Sequence, residues 1–340
     1  MTPNVGRRAL ICATALLVLA SLSNSRSSAV GKRSGTLPRR FDGHSTAEEV
    51  TAEVDLTGKT ALVTGCSSGI GQETLRVLAL RGAHIYGLAP TLERAEGGCA
   101  AARGPLIKGS AIPFGCDHTD FTSIVTCTEA IQKLGTPIDV LICNAGINLQ
   151  RLEQVNGIEK DFVVNHLGHF ILVNRLLNLV RGAPQGRIIV VGSGASFYAP
   201  AVGIEFDNLS GERDYDFMKM YGQSKLANGL FAHELARRLK GTATTANVVT
   251  PGVVDTPMNR NLAGSRVIPA DFDFKKLKSV AQGAATACYV ATSPDLKGVS
   301  GKYFEDCRIT TPGAHMLDDA MAARLWTVSE NLTRAYLRAG

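Results

Sequence analysis

Two tyrosine–lysine pairs at four-residue spacing lie close together in this chain: Tyr215 with Lys219, and Tyr221 with Lys225. On a helix, positions four apart share a face, so each lysine would stand beside its tyrosine. A free phenol loses its proton near pH ~10, too high for a base at neutral pH. A neighbouring ammonium stabilises the phenolate and lowers that value. Such a pair can take a proton from an alcohol or return one to a carbonyl oxygen. The surroundings separate the two pairs. Tyr215 sits in the polar stretch Asp214-Tyr215-Asp216-Phe217 and reads as a surface aromatic. Tyr221 opens a segment with Leu226, Leu230 and Leu235 on its apolar side, which predicts a helix over 221–239. Tyr221 and Lys225 are therefore the expected chemical centre.

A second signal lies upstream, in Thr64-Gly65-Cys66-Ser67-Ser68-Gly69-Ile70-Gly71. It follows an apolar strand and opens a helix. Gly65, Gly69 and Gly71 allow a tight turn, close backbone approach to a pyrophosphate and close helix packing. The helix N-terminus adds free N–H groups and a partial positive charge. Gly65, Ser67, Ser68, Gly69, Ile70 and Gly71 are thus expected to bind a dinucleotide.

The elements that must position these groups alternate regularly. Strands are predicted at 60–64, 84–88, 112–114, 138–143, 187–191, 246–250 and 301–304. Helices are predicted at 70–81, 121–134, 158–181, 221–239 and 281–291. Strands without polar alternation, separated by helices, imply a parallel sheet covered on both faces. The expected fold is a single doubly wound α/β domain of Rossmann type over 54–310. A short connecting helix over 41–53 precedes it, opened by a capping box of Ser45 and Glu48. Residues 311–340 read as a helical tail.

The spacing of the glycine turn and the motifs after it resemble the short-chain dehydrogenase/reductase family, in its retinol-dehydrogenase-like branch. Asn144-Ala145-Gly146 resembles the family's N-A-G. Asn165-His166-Leu167-Gly168-His169-Phe170 resembles its N-H-L-G-H-F, and Tyr221-Gly222-Gln223-Ser224-Lys225 its Y-x-x-S-K. Pro251-Gly252-Val253-Val254-Asp255-Thr256 resembles its P-G motif. The resemblance implies a catalytic set of Ser193, Tyr221, Lys225 and Asn165. Ser193 would hold the substrate oxygen, and Asn165 a water joining Lys225 to solvent. Gly192 stands where family members often have a first serine. The resemblance also implies cofactor contacts from Asp117, Asn144, Ala145, Gly146, Tyr221, Lys225, Pro251, Gly252, Val254 and Thr256. After the second strand, Leu88-Ala89-Pro90-Thr91 offers no carboxylate for ribose hydroxyls. This favours NADP, with NAD open, and Arg94 reads as a solvated helix residue.

By the same resemblance, the substrate is an apolar alcohol or carbonyl compound. Segments 199–216 and 258–274 should cap the site, and Phe197, Tyr198, Ile204, Phe206, Met258, Leu262 and Phe272 in and beside them support an apolar pocket. The alternative is a cofactor-sensing interaction protein that keeps the fold without turnover. A homo-oligomer is a further expectation of the family.

Residues 1–40 hold seven basic side chains and no acid, so the remaining chain carries 29 basic against 30 acidic residues. The body has no basic excess to bind nucleic acid. Arg7 and Arg8 precede an apolar run from Ala9 to Ala20, as in a secretory or twin-arginine signal. That composition allows export or membrane association through the N-terminus, with an organelle or the cytoplasm as alternatives. Seven cysteines in the body form no C-x-x-C pair and read as small buried hydrophobes, not a disulfide framework or zinc site. His166 and His169 lie three apart without a metal motif and read as structural. A chain beginning near residue 41 should be soluble and active; loss of cofactor binding would show that the leader belongs to the domain.

Overall fold

The first strand, β1 (Thr60–Thr64), is buried along its whole length, and parallel neighbours flank it on both sides. A computed structural model of the protein describes residues 41–265 and 267–337. The leader reading falls on residues 1–40, outside the described residues. From β1 the chain runs through α2 (Gly69–Leu80), β2 (His84–Ala89), α3 (Leu92–Cys99) and β3 (Ser110–Gly115) toward one edge. It then passes through α4 (Phe121–Leu134) and returns to the other side of β1 as β4 (Val140–Cys143). After a small hairpin, β5 (Gln154–Val155) and β6 (Ile158–Glu159), come α5 (Gly168–Arg181), β7 (Arg187–Val191), α6 (Phe217–Arg238) and β8 (Thr245–Thr250). The chain ends with α7 (Val280–Thr292), β9 (Tyr303–Glu305), β10 (Arg308–Ile309) and α8 (Asp319–Leu337). The eight-stranded sheet has the order β10-β9-β8-β7-β4-β1-β2-β3, parallel except for the β9–β10 pair. The expected doubly wound α/β fold is what forms. Strand order reverses between β1 and β4, and that is where such sheets open a ligand crevice.

Several expected boundaries shift, each for a local reason. The N-terminal capping box is Thr46 with Glu49, one residue later than Ser45 with Glu48, and it opens α1 (Ala47–Val50). Ser45 instead closes a turn with Asp42. The segment read as one helix over 158–181 begins as strand β6. It continues as a helical turn, Lys160–Phe162, capped by Glu159, then a π-turn, Val163–Leu167, before α5. Helix α6 begins at Phe217, earlier than the expected 221. The Asp216 carboxylate accepts from the Met218 and Lys219 N–H groups and sets that start. Tyr215 is thereby left outside the helix, and Tyr221 lies inside it.

The tail helix packs into the main core. Trp326 is 5% exposed and meets Phe170 at 5.0 Å and Phe231 at 5.8 Å between ring centroids. The Arg238 guanidinium sits 4.0 Å over its ring, and its indole N–H donates to Glu330 at 2.8 Å. On the other face of the sheet, α1 lies against α2 and α7 through Ala47, Val50, Val77 and Ala284. All seven cysteines of the body are buried as free thiols.

Trp326→Ala should cost about 3–5 kcal/mol, the range for deleting a buried indole. Urea unfolding followed by circular dichroism measures it. A loss under ~1 kcal/mol would mean that α8 is peripheral to the domain.

Candidate active site

The β1–α2 turn lies at the crevice. Gly65 adopts φ +69° and Gly69 φ +55°, a region costly for other residues. A Cβ on Gly65 would come within 2.8 Å of Ala145 Cα, and one on Gly71 would overlap Gly65 O and Asn144 Nδ2. Ser68 precedes α2 without capping it through its side chain, so the N–H groups of the first turn have no such acceptor. A bare N-terminus of a twelve-residue helix, behind a turn only glycine can make, fits the pyrophosphate of a dinucleotide. Pro251–Thr256 closes the other wall: Thr256 Cγ2 lies 3.5 Å from where a Gly69 Cβ would be. Gly252 takes φ +79°, Val254 is buried, and Lys278 Nζ donates to Pro251 O at 3.3 Å.

A residue the sequence reading passed over joins these parts. Thr64 Oγ1 accepts from the Asn144 and Ala145 N–H groups, both at 2.9 Å. His169 Nδ1 faces the Asn165 carbonyl at 2.8 Å and must donate to it, so in the neutral ring Nε2 accepts the Thr64 hydroxyl hydrogen at 2.8 Å. Burial and the neighbouring His118 hold His169 neutral, well below the usual histidine range. His166 is also fully buried, pushed down to about 3, and bonds Ser329 at 2.7 Å. Both rings bond to partners inside the fold.

Asn165 sits in the π-turn, a distortion frequent at functional sites. Its Oδ1 accepts from Ile147 N at 2.8 Å. Its Nδ2 donates to Ile147 O at 3.0 Å and Ser224 Oγ at 2.9 Å. It thus clamps the loop after β4 to α6. Lys225, 3% exposed, reaches Val191 O at 3.5 Å, and its Nζ lies 5.6 Å from the Tyr221 ring centre. A Cβ on Gly146 would stand 3.1 Å from Asn165 Oδ1 and 3.2 Å from Lys225 Nζ, so that glycine leaves room for both. Ser193 leads a short 3₁₀ turn after β7, its Oγ accepting from Ala195 N at 3.1 Å, and its side chain acts on the Tyr221 phenol. Gly192 stands where a Cβ would meet Val248 Cγ1 at 3.0 Å. Met258 Sδ closes over Tyr221 at 4.0 Å from its hydroxyl.

The electrostatics of the chain alone differ from the expectation of a lowered phenol. Burial pushes Tyr221 up to about 12, with the Ser193 side chain pulling the other way. Burial also pulls Lys225 down to about 8, against the raising effect of Asp161. The protein by itself therefore keeps Tyr221 as a phenol, ready to donate.

Ser193, Tyr221, Lys225 and Asn165 come from three separate segments: the turn after β7, α6 and the π-turn before α5. The glycine turn, Asn144–Gly146 and Pro251–Thr256 line the same crevice. Asp117 follows β3, and its carboxylate accepts from Thr119 N and Oγ1 at 2.8 Å. Arg94 is exposed in the first turn of α3, whose start Thr91 caps. The apolar cap is partly corrected. Ile204 is buried in the main core, and Phe206 packs beside it with Arg324 at 4.2 Å over its ring. Both side chains thus serve the α8 side of the fold. Tyr215 is also more than a surface aromatic: it is half-buried, and its hydroxyl donates to Leu149 O at 3.2 Å.

Residues 59–266 match the family model described as short chain dehydrogenase. The chain is 36% identical over 331 residues to mouse retinol dehydrogenase 14, covering 92% of this chain and 98% of that protein. It is 38% identical over 303 residues to "Short-chain dehydrogenase TIC 32 B, chloroplastic" of Brassica napus, covering 86% and 94%. A crystal structure of an uncharacterised Mycobacterium paratuberculosis protein aligns with TM-score 0.65 at 30% identity, over 86% of this chain and 98% of that one. A Burkholderia cenocepacia short chain dehydrogenase solved in complex with NADP shares the fold, with TM-score 0.56 at 23% identity over 73% and 96%. The chain belongs to the short-chain dehydrogenase/reductase family, in its retinol-dehydrogenase-like branch. Within that family it is an oxidoreductase acting on CH–OH groups with a nicotinamide cofactor.

Gly71→Ala should lower affinity for the reduced cofactor on the order of tenfold or more, because the added methyl displaces Gly65 or Asn144. Fluorescence titration measures it. Gly97→Ala, with nothing within 4 Å of its Cβ position, should bind as the parent does.

Proposed function

We propose that this protein interconverts an apolar alcohol and its carbonyl compound, with NADP(H) as the preferred cofactor. The observation that carries the reading is the buried Lys225 one turn beyond Tyr221 on the same helix, its Nζ 5.6 Å from the phenol ring centre. The nicotinamide, when bound, supplies the hydride acceptor or donor. Ser193 holds the substrate oxygen, and Tyr221 moves a proton to or from it. Lys225 supplies positive charge to the phenolate and a donor to ribose hydroxyls. Asn165 keeps the loop after β4 and α6 in register. Met258 over Tyr221 gives the substrate side an apolar wall.

The preference for NADP rests on the end of β2. Ala89 closes the strand, Pro90 is exposed, and Thr91 caps α3, so residues 89–91 at the strand end offer no carboxylate to ribose hydroxyls. The remaining cofactor contacts follow the crevice walls: Ser67, Ser68 and Ile70 on the turn, Asp117 toward the base, and Asn144, Ala145, Pro251, Gly252, Val254 and Thr256 opposite. Association with a membrane through residues 1–40, and self-assembly, are further proposals from the leader's composition and the family.

Four variants assayed with one working substrate test the mechanism. Tyr221→Phe keeps the ring but removes the proton-transfer oxygen, and should lower turnover by ~10²–10⁴ with little change in cofactor affinity. Lys225→Met should lose both. Tyr215→Phe and Lys219→Met should stay within a few-fold of the parent. An active Tyr221→Phe beside a dead Tyr215→Phe would sink the assignment. Cofactor binding without turnover of any alcohol or carbonyl would favour a sensing role.

A further inference from the structure

The loop after β4 sets alternate residues toward the site. A Cβ on Gly146 would stand 3.2 Å from Lys225 Nζ. Two residues on, Asn148 Nδ2 lies 3.9 Å from Met218 Sδ. Two further on, Gln150 Nε2 donates to Asn261 O at 2.9 Å. Met218 precedes Tyr221 by three positions on α6, so the two share a face of that helix. Asn261 ends the short helical turn Pro257–Arg260, whose Met258 lies over the Tyr221 hydroxyl. Along the loop, Asn148 is therefore bracketed by a contact with Lys225 on one side and with the Met258 segment on the other.

The backbone on either side of Asn148 is pinned. Asn165 holds Ile147 through both its N–H and its carbonyl, at 2.8 and 3.0 Å. Leu149 N donates to the Asp161 carboxylate at 3.2 and 3.3 Å, and Leu149 O accepts from Tyr215 at 3.2 Å. The two ends of the Asn148 carboxamide are told apart by chemistry. A thioether sulfur accepts but cannot donate, so the amide NH₂ faces Met218 and the oxygen points elsewhere. That oxygen, Oδ1, is buried and has no hydrogen-bond partner among the described residues. Asn165 commits both its amide hydrogens to Ile147 O and Ser224 Oγ and has none to offer it. An acceptor buried without a donor carries the full cost of its desolvation, and such atoms are few in folded chains.

We propose that Asn148 determines substrate specificity: its Oδ1 accepts a hydrogen bond from a hydroxyl that the substrate carries away from its reacting carbon. The inference rests on the alcohol–carbonyl reading above and narrows it. The substrate is then an apolar compound with two polar points, the reacting oxygen at Tyr221 and a second hydroxyl at Asn148. Met218 and Met258 supply thioethers that adapt to the apolar carbon between them. A hydroxyl at the second point pairs the buried oxygen, whereas an analogue with hydrogen there leaves it unpaired. A site built to bond a hydroxyl discriminates against the analogue that lacks it.

Decanal and its isomers hydroxylated along the far half of the chain, reduced by the full-length protein with NADPH, test it. The wild type should favour one isomer over decanal by about tenfold or more in kcat/KM. Asn148→Leu keeps the size of the side chain and removes the acceptor, and should bring that ratio toward unity. Asn148→Ala is the second such variant should the first not fold. Asn148→Asp, which keeps an acceptor, should retain the preference. A second measurement needs no turnover: decanol and its diols with the second hydroxyl on the far half are titrated into the complex with NADPH, followed by cofactor fluorescence. A reduced nicotinamide cannot accept hydride from an alcohol, so this titration reads binding alone. The same preference should appear there in the wild type and be lost in Asn148→Leu. A wild type with no hydroxyl preference in either measurement overturns the proposal, as does a preference that Asn148→Leu and Asn148→Ala leave unchanged. A preference in binding that Asn148→Leu abolishes, in a protein that reduces none of the aldehydes, upholds it and overturns instead the catalytic reading of the site.

Discussion

The Thr64 hydroxyl is the joint on which the site depends. It ends β1, where strand order reverses, and it takes hydrogen bonds from the backbone of Asn144 and Ala145 at the end of β4. Its own hydrogen goes to His169, which in turn holds Asn165 O in the π-turn. One side chain thereby couples the glycine turn, the loop after β4 and the helix that carries Asn165. Each such buried bond contributes ~0.5–1.5 kcal/mol net, but an orphaned partner costs more. The network tolerates one arrangement of its members. The neutral tautomer of His169 follows from the partners on its two ring nitrogens.

Around that joint the chain places ionisable groups in an interior that resists charge. Burial pushes Tyr221 up to about 12, which keeps it a phenol, and brings Lys225 down to about 8. Ser193 and Asp161 work against those shifts from opposite sides. The chain alone is thus poised with a proton on tyrosine, and a positive ring placed beside it would favour the phenolate. A fold that buried Lys225 less would keep it charged unaided, at the expense of a dry site in which electrostatic interactions are strong.

The outer walls are less uniform than the floor. Met258 faces Tyr221, and Gln150 in the loop after β4 reaches across to Asn261 O at 2.9 Å. Ile204 and Phe206 turn away to meet α8, which also covers Phe170 and Phe231. The C-terminal helix is therefore continuous with the core that supports α6, the carrier of Tyr221 and Lys225.

Local signals in the sequence were enough for much of this. The alternation of apolar strands and helices determines the doubly wound sheet, because period and burial are written in residue type. The glycines at 65, 69 and 71 determine the turn, because no other residue satisfies its geometry, and the apolar spacing after Tyr221 separates it from Tyr215. What the sequence could not carry depends on partners far along the chain. Thr64 reads as one more β-branched strand residue until Asn144 and His169 are brought to it. Asp161 carries no motif, and its burial comes only when its turn packs against α6. Phe206 reads as a substrate contact until α8 arrives from more than a hundred residues away. The start of α6 at Phe217 and the π-turn at Asn165 are set by a cap and by packing that outweigh local preference. Residue type and spacing thus determined the fold and marked the candidate site residues, whereas burial and long-range hydrogen bonding, which exist only once the chain has closed, decided their charge and their neighbours.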